Sequence, residues 1–226
     1  MAGARRVFLI EEPLASALGA GKDLSGAKGH MVVDIGGGTT NIAVLSMNGV
    51  VLSSSLRIAG DFFDEVIARY VRRKYNMVIG QVTAEAVKIN LGQVYPGGEE
   101  LAMEVKGRDA KTGSPRSLTM TSTEVFEILQ RHAAAIADEI NDVLSRTGPE
   151  LVSDITETGI TLTGGCAQIS GMAELIMEKT QIPCVVADDP ASCAAYGCGK
   201  SLAWINTMTE GPINVAKKRL LSSRVR

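Results

Sequence analysis

The chain predicts an α/β protein with antiparallel hairpins mixed in. Strand-like apolar runs alternate with segments of helical period, two glycine turns each follow a β-rich run, and the composition is that of a domain that buries a core. Apolar residues make up 45% and charged residues 21% of 226 residues, which excludes disorder as the default state. The 23 basic and 25 acidic residues leave a formal net charge of -2, so a dedicated nucleic-acid binder is disfavoured and a small ligand preferred.

The apolar run from Val7 to Ile10 ends at Glu11, too short for a signal sequence or a membrane span, and a cytoplasmic protein is expected. Glu11-Glu12-Pro13 breaks that β run and opens a helical stretch from Leu14 to Gly19, with Pro13 suited to a first turn. Met31-Val32-Val33-Asp34 is a buried-strand run that stops at Gly36, Gly37 and Gly38. Ile42 to Leu45 resumes the strand signal, and Asn48-Gly49 is a hairpin dipeptide before Val50-Val51-Leu52. An antiparallel meander follows. From Asp61 to Tyr75, Phe62, Phe63, Val66, Ile67, Tyr70 and Val71 recur at helical spacing, with Arg69, Arg72, Arg73 and Lys74 toward the C-terminal end.

A shorter helix is expected from Thr83, as cap, to Leu91, with Gly92 ending it. Leu101, Met103 and Val105 alternate, turn residues fill 107 to 115, and Leu118 and Met120 alternate again, which predicts a hairpin. Thr121-x-x-Glu124 is a capping box for a long helix through Val143 that stops before Gly148-Pro149. Thereafter the pattern reads strand (159 to 163), helix (about 171 to 180), strand (184 to 187) and a helix from Pro190 toward Trp204. Cys166, Cys184, Cys193 and Cys198 form no C-x-x-C pair and lack nearby histidines at zinc-ligand spacing, so they are read as reduced core thiols. The basic residues from Lys217 to Arg226 are read as a solvated chain end.

Three segments carry chemistry. In Asp34-Ile35-Gly36-Gly37-Gly38-Thr39-Thr40 the glycines let backbone turn sharply and point N–H groups at a polyphosphate; Asp34 at the strand end suits a hydrated Mg²⁺, and Thr39 or Thr40 suits a water. The alternative is a glycine-rich hairpin with no ligand. It is not a G-x-x-x-x-G-K-[ST] loop, which disfavours the P-loop NTPases. Thr163-Gly164-Gly165-Cys166-Ala167 is a second glycine turn, able to lay bare backbone against a nucleoside or simply to join strand and helix. A carboxylate at the Glu11-Glu12-Pro13 junction can hold a water attacking a γ-phosphate, or merely complement a helix N-terminus.

Taken together, Phe8 to Gly19 with its E-E-P turn, Val32 to Thr40, Arg57-Ile58-Ala59-Gly60-Asp61, Glu85-x-x-Lys88 and Ile160 to Gly165 occur in the order seen in the MreB family of bacterial actin homologues. The chain resembles that family from about residue 3 to 205. The E-P turn and D-x-G-G-G-T loop belong also to the wider actin and DnaK-type chaperone superfamily, whereas Leu151 to Ile155 and the hairpin at 107 to 118 look like MreB specifically. The resemblance implies an actin-like ATPase fold, a ribonuclease H-like subdomain plus a smaller α/β subdomain, incomplete at the N-terminus. Residues 27–62 and 125–190 would build the large subdomain of the second lobe and 63–124 the small one; 1–26 and 191–226 would belong to the first lobe.

By the same resemblance Glu12 corresponds to the hydrolytic carboxylate, Thr39 to the hydroxyl that positions water and Asp34 to the aspartate near Mg²⁺. Gly36, Gly37, Gly38, Thr39 and Thr40 correspond to the second phosphate loop, Glu85 and Lys88 to a ribose-contacting pair on one helical face, and Gly164 and Gly165 to the glycines beside adenosine. The implied ligands are ATP and Mg²⁺. The implied partners are further copies in a filament and the membrane proteins of cell shape and cell-wall synthesis, with peripheral contact at the inner face of the cell membrane. A DnaK-type chaperone fragment and a non-catalytic remnant acting through protein contacts are the alternatives. Two departures from the family stand out: Cys166 replaces a third glycine, and Asn41 stands where an acidic residue is common. The family's opening D-x-G-T-x-N phosphate loop has no counterpart here.

Overall fold

The computed structural model describes residues 7–204 and 213–214, and the basic segment at 217–226 lies outside them. A short strand, β1 (Phe8–Leu9), leads into helix α1 (Glu12–Gly19), whose first turn contains Pro13. Strands β2 (His30–Ile35), β3 (Thr40–Ser46) and β4 (Gly49–Leu56) form the expected meander. The second turn differs by one residue from the expected Asn48-Gly49. Met47 and Asn48 are its central pair, both at positive φ, while Gly49 already pairs with Ser46. The alternating burial that turns Ala43 and Leu45 to one face sets this register, and a turn of positive φ at both central residues matches the strand twist.

Helix α2 (Gly60–Tyr75) ends at a left-handed Asn76, followed by β5 (Met77–Val78) and α3 (Gln81–Leu91). Gly80 rather than Thr83 is the N-cap of α3, because Ala84 and Val87 reach the core only if the helix begins earlier; Thr83 lies inside its first turn. Strands β6 (Ala102–Asp109) and β7 (Pro115–Thr121) make the hairpin, and α4 (Ser122–Arg146) follows. Only half of the capping box forms. Thr121 accepts from the Glu124 N–H at 3.4 Å, but the Glu124 carboxylate turns instead to Lys74, Tyr70 and Tyr75.

Helix α5 (Pro149–Thr158) was not expected from the pattern, since the Gly148-Pro149 pair that stops α4 also starts α5 and only Ile155 of it is buried. Strand β8 (Ile160–Thr163), a 3₁₀ turn at Gly165–Gln168, α6 (Met172–Thr180), β9 (Cys184–Val186) and α7 (Cys193–Ser201) complete the order, with a 3₁₀ turn at Leu202–Trp204 and β10 (Ile213–Asn214) paired to β1.

Five strands form one sheet in the order β4-β3-β2-β8-β9, and β5-β6-β7 form a second. Alternation splits the core of the first sheet into two layers. Met31, Val33, Ile35, Ile42 and Val44 face α2 and α4, while Val32, Ala43 and Leu45 face α1. Helix α1 is itself covered by α7 at very short range: a β-carbon on Gly197 would collide with the Ala15 carbonyl. Of the four cysteines, all free, Cys166 and Cys193 are buried as expected, Cys184 is half-buried and Cys198 is exposed. No helix among the described residues is long and apolar enough to cross a membrane.

Candidate functional site

Strand β2 carries Asp34 to its end and the chain then turns through Gly36, Gly37 and Gly38. The Gly36 N–H donates to Thr39 O at 3.0 Å, closing the loop on itself, and the N-terminus of α2 buttresses it through Gly60 N–H to Gly36 O (3.0 Å) and Asp61 N–H to Gly37 O (2.8 Å). Gly37, Gly38 and Thr39 form the exposed tip. Gly164 abuts this loop from β8. Its φ is +84°, and a β-carbon there would strike the Ile35 carbonyl, so both the conformation and the space require glycine. The two glycine turns, about 125 residues apart in sequence, are thus neighbours, as expected of parallel strands ending side by side.

Asp34 is 5% exposed. Its Oδ2 accepts hydrogen bonds from Ser16 on α1 and from Thr163 at 2.9 Å. Oδ1 faces bare backbone, where a β-carbon on Gly164 would come within 2.8 Å and one on Gly36 within 3.9 Å. Among the described residues no group of three or more His, Cys, Asp or Glu side chains could hold a metal. One carboxylate oxygen left in a glycine-lined recess nevertheless fits a hydrated Mg²⁺, which keeps most of its waters and relies on one or two carboxylates plus phosphates.

Glu12 and Thr39 come together through a residue the motifs did not single out as functional. The Asn41 Nδ2 donates to Glu12 Oε2 at 2.9 Å and, more weakly, to Thr39 Oγ1 at 3.4 Å. Ser55 Oγ donates to Asn41 Oδ1 at 2.8 Å. Thr40, by contrast, turns its hydroxyl inward to Ile58 O at 2.6 Å and is fully buried, so only its backbone is available to a ligand.

Beside the loop opens a cleft of about 790 Å³, bordered by Gly36, Gly37, Glu85, Lys88, Gly165 and Cys166 among others. That volume accommodates a nucleotide-sized molecule. Glu85 and Lys88 share one face of α3 but do not pair with each other. Lys88, 7% exposed, forms an ion pair with Asp64 of α2 at 2.9 Å and donates to Gly60 O at 3.2 Å, whereas Glu85 is exposed. Burial pushes the Asp64 carboxyl up, and the Lys88 ammonium works against it. Asp64 was legible in principle: it sits on the apolar face of α2 beside Phe63 and Ile67, where a charge needs a partner. Cys166 fits its 3₁₀ turn and points to the same spot, since a β-carbon on Gly60 would lie 3.0 Å from its sulfur. Burial raises its thiol above the ordinary range, so it is neutral.

This architecture is that of the actin-like ATPases. It superposes on the crystal structure of MreB5 of Spiroplasma citri bound to AMPPNP with a TM-score of 0.83 and 37% identity, covering 86% of this chain and 59% of that one. A MamK double helical filament shares the fold at a TM-score of 0.70 and 24% identity, covering 85% of this chain and 58% of that one. A family model described as MreB/Mbl protein matches residues 1–210, and the chain belongs to that family. It is 53% identical over 205 residues to the cell shape-determining protein MreB of Escherichia coli strain K12, covering 91% of this chain. To the cell shape-determining protein Mbl of Bacillus subtilis strain 168 it is 44% identical, covering 88% of this chain. The chain spans 59% and 60% of the lengths of these two relatives.

Proposed function

We propose that this chain is part of a bacterial actin-like cytoskeletal ATPase whose ATP-dependent filaments guide cell-wall synthesis and maintain rod shape. The observation that carries the reading is the junction of a carboxylate, a hydroxyl and a glycine loop: Glu12 and Thr39 are joined through Asn41 at the tip of the loop whose Gly36 and Gly37 border the cleft. Phosphates would lie against the backbone of Gly36, Gly37, Gly38, Thr39 and Thr40, and the nucleoside against Gly164 and Gly165. Glu85 reaches the ribose directly. Lys88, its charge taken up by Asp64, borders the cleft rather than joining Glu85 at the ribose. Asp34 would hold Mg²⁺, which when bound neutralises charge on the phosphates. Glu12 accepts a hydrogen bond from the attacking water and Thr39 orients it.

The supporting comparisons are relatives named for cell shape, the S. citri relative solved with AMPPNP and with ADP, and a filament of the same fold. On this reading residues 27–62 and 125–190 form one subdomain and 63–124 a smaller one, while the described parts of 1–26 and 191–226 belong to the other lobe. The filament would lie at the inner face of the cell membrane against membrane proteins of wall synthesis.

Because the sequence contains no D-x-G-T-x-N loop, hydrolysis is best tested on the chain joined to the N-terminal segment of its E. coli relative. Replacing Glu12 with Ala should leave ATP affinity nearly unchanged and lower phosphate release about a hundredfold or more, the loss expected for a positioned base. Light scattering should show filaments that assemble with ATP and turn over slowly. Unchanged phosphate release would reduce Glu12 to a helix-terminus carboxylate.

A further inference from the structure

On the face of the large sheet that α1 covers, one transverse row is polar in each of the four strands it crosses. The strand registers set Ser55 opposite Asn41, Asn41 opposite Asp34, and Asp34 opposite Thr163, so four polar side chains cross four strands on one face at the level of the glycine loop. One step away along the strands the same face holds Ser53, Ala43, Val32 and Thr161, so there the two central strands are apolar. Thr163 serves Asp34, and Ser55 serves Asn41. The row is an ordered set of donors and acceptors, and Asn41 is the member whose free end leaves the sheet to reach Glu12.

We propose that Asn41 is the positioning residue for the Glu12 and Thr39 pair, with Ser55 anchoring the oxygen end of its amide. The inference rests on the functional reading above and deepens it. Its logic is one of hydrogen-bond polarity. A primary amide has one acceptor end and one donor end, and an ionised Glu12 can only accept, so the nitrogen faces Glu12 and the oxygen is left to accept from the Ser55 hydroxyl. The flipped amide would set oxygen against carboxylate. With Nδ2 on Glu12 Oε2 and on Thr39 Oγ1, each partner is engaged as an acceptor. Glu12 Oε1 is left to accept from a water, and the Thr39 proton is left to donate to one. Asn41 therefore imposes opposite roles on the two groups, as a single bound water requires. An acidic residue at position 41, common in the family, cannot do this without taking up a proton, since two carboxylates would then share the contact.

The contact is testable by NMR on this 226-residue chain without nucleotide. As the pH is varied from about 3 to about 7, the range in which carboxylates ionise, the two Asn41 side-chain amide protons should move with Glu12. The movement should vanish in Glu12→Gln. Ser55→Ala should broaden the amide signals and speed their exchange with water, and Ser55→Thr should restore them. Amide signals indifferent to pH, or unchanged in Glu12→Gln, overturn the proposal whatever the enzyme does. In the joined protein, Asn41→Ala should lower kcat about tenfold or more with KM little changed. A full rate in Asn41→Ala, where Glu12→Ala has lost it, also overturns the positioning role and leaves the functional reading standing. A full rate in Glu12→Ala overturns both.

Discussion

Lys88 shows how a single residue can carry a different meaning in space than in sequence. Its helical spacing from Glu85 suggests a surface pair, which would contribute at most a fraction of a kcal/mol. In the fold it neutralises the buried Asp64, 4% exposed, and ties α3 to the start of α2. Removing one member of such a pair leaves an uncompensated buried charge. Lys88→Ala should therefore destabilise the chain by roughly 3–5 kcal/mol, whereas the double replacement Lys88→Met with Asp64→Leu should recover most of that loss. Urea unfolding of the two variants checks this, and equal instability in both would show that the ion pair itself, not the stranded charge, is what matters. Asp34, Gly164, Glu12 and Thr39 stood out as candidates because each sits at a motif junction. Asp64 could have been, from its charge on the apolar face of α2, whereas Asn41 and Ser55 could not, because their contacts depend on strand register.

At the scale of elements, most strands, most helices and the meander were legible from periodicity, since burial on one or two faces dictates it directly; the two-residue strands β5 and β10 are too short to show a period. The errors fall where two signals compete. Thr83 is a good cap residue, yet core contacts of Ala84 and Val87 begin α3 earlier; Glu124 completes a capping-box pattern, yet Lys74, Tyr70 and Tyr75 claim its carboxylate. That second choice joins the C-terminal turn of α2 to the N-terminal turn of α4. Burial alone would raise the Glu124 carboxyl, but the hydrogen bonds from Lys74 and Tyr75 prevail and hold it below the ordinary value of 4.5. A group whose folded value is depressed contributes stability above its unfolded value and loses it as the pH falls through the folded one. Glu124→Gln should thus be less stable than the parent at neutral pH, with the difference shrinking steadily below about pH 4.5. Thermal melts at a series of acid pH values would measure it, and a constant difference would remove Glu124 from the acid response.

For the molecule as a whole, the apolar residues of α1 are mostly satisfied: Leu14, Ala15, Ala17 and Leu18 are buried against the sheet and α7. The exposed apolar side chains of this region are Val7, Leu9, Tyr196 and Leu202, the last two 58% and 63% exposed. Apolar surface of this kind favours association, so the chain should self-associate as its concentration rises, and Tyr196→Ser with Leu202→Ser should weaken that association. Sedimentation velocity over a range of concentrations is the measurement, and a parent that stays monomeric would count against the prediction. The pairing of α1 with α7 has a further consequence, in time rather than in space. The ribosome releases α1 and, about 170 residues later, its covering helix, an interval on the order of ten to thirty seconds at ordinary rates of synthesis. Once α4 is complete at Arg146, the opposite face of the sheet can be clothed by α2 and α4, while Leu14 and Leu18 still have no α7 to receive them. Among the described helices the last seals the first, and the nascent chain remains open on that side until α7 has been made.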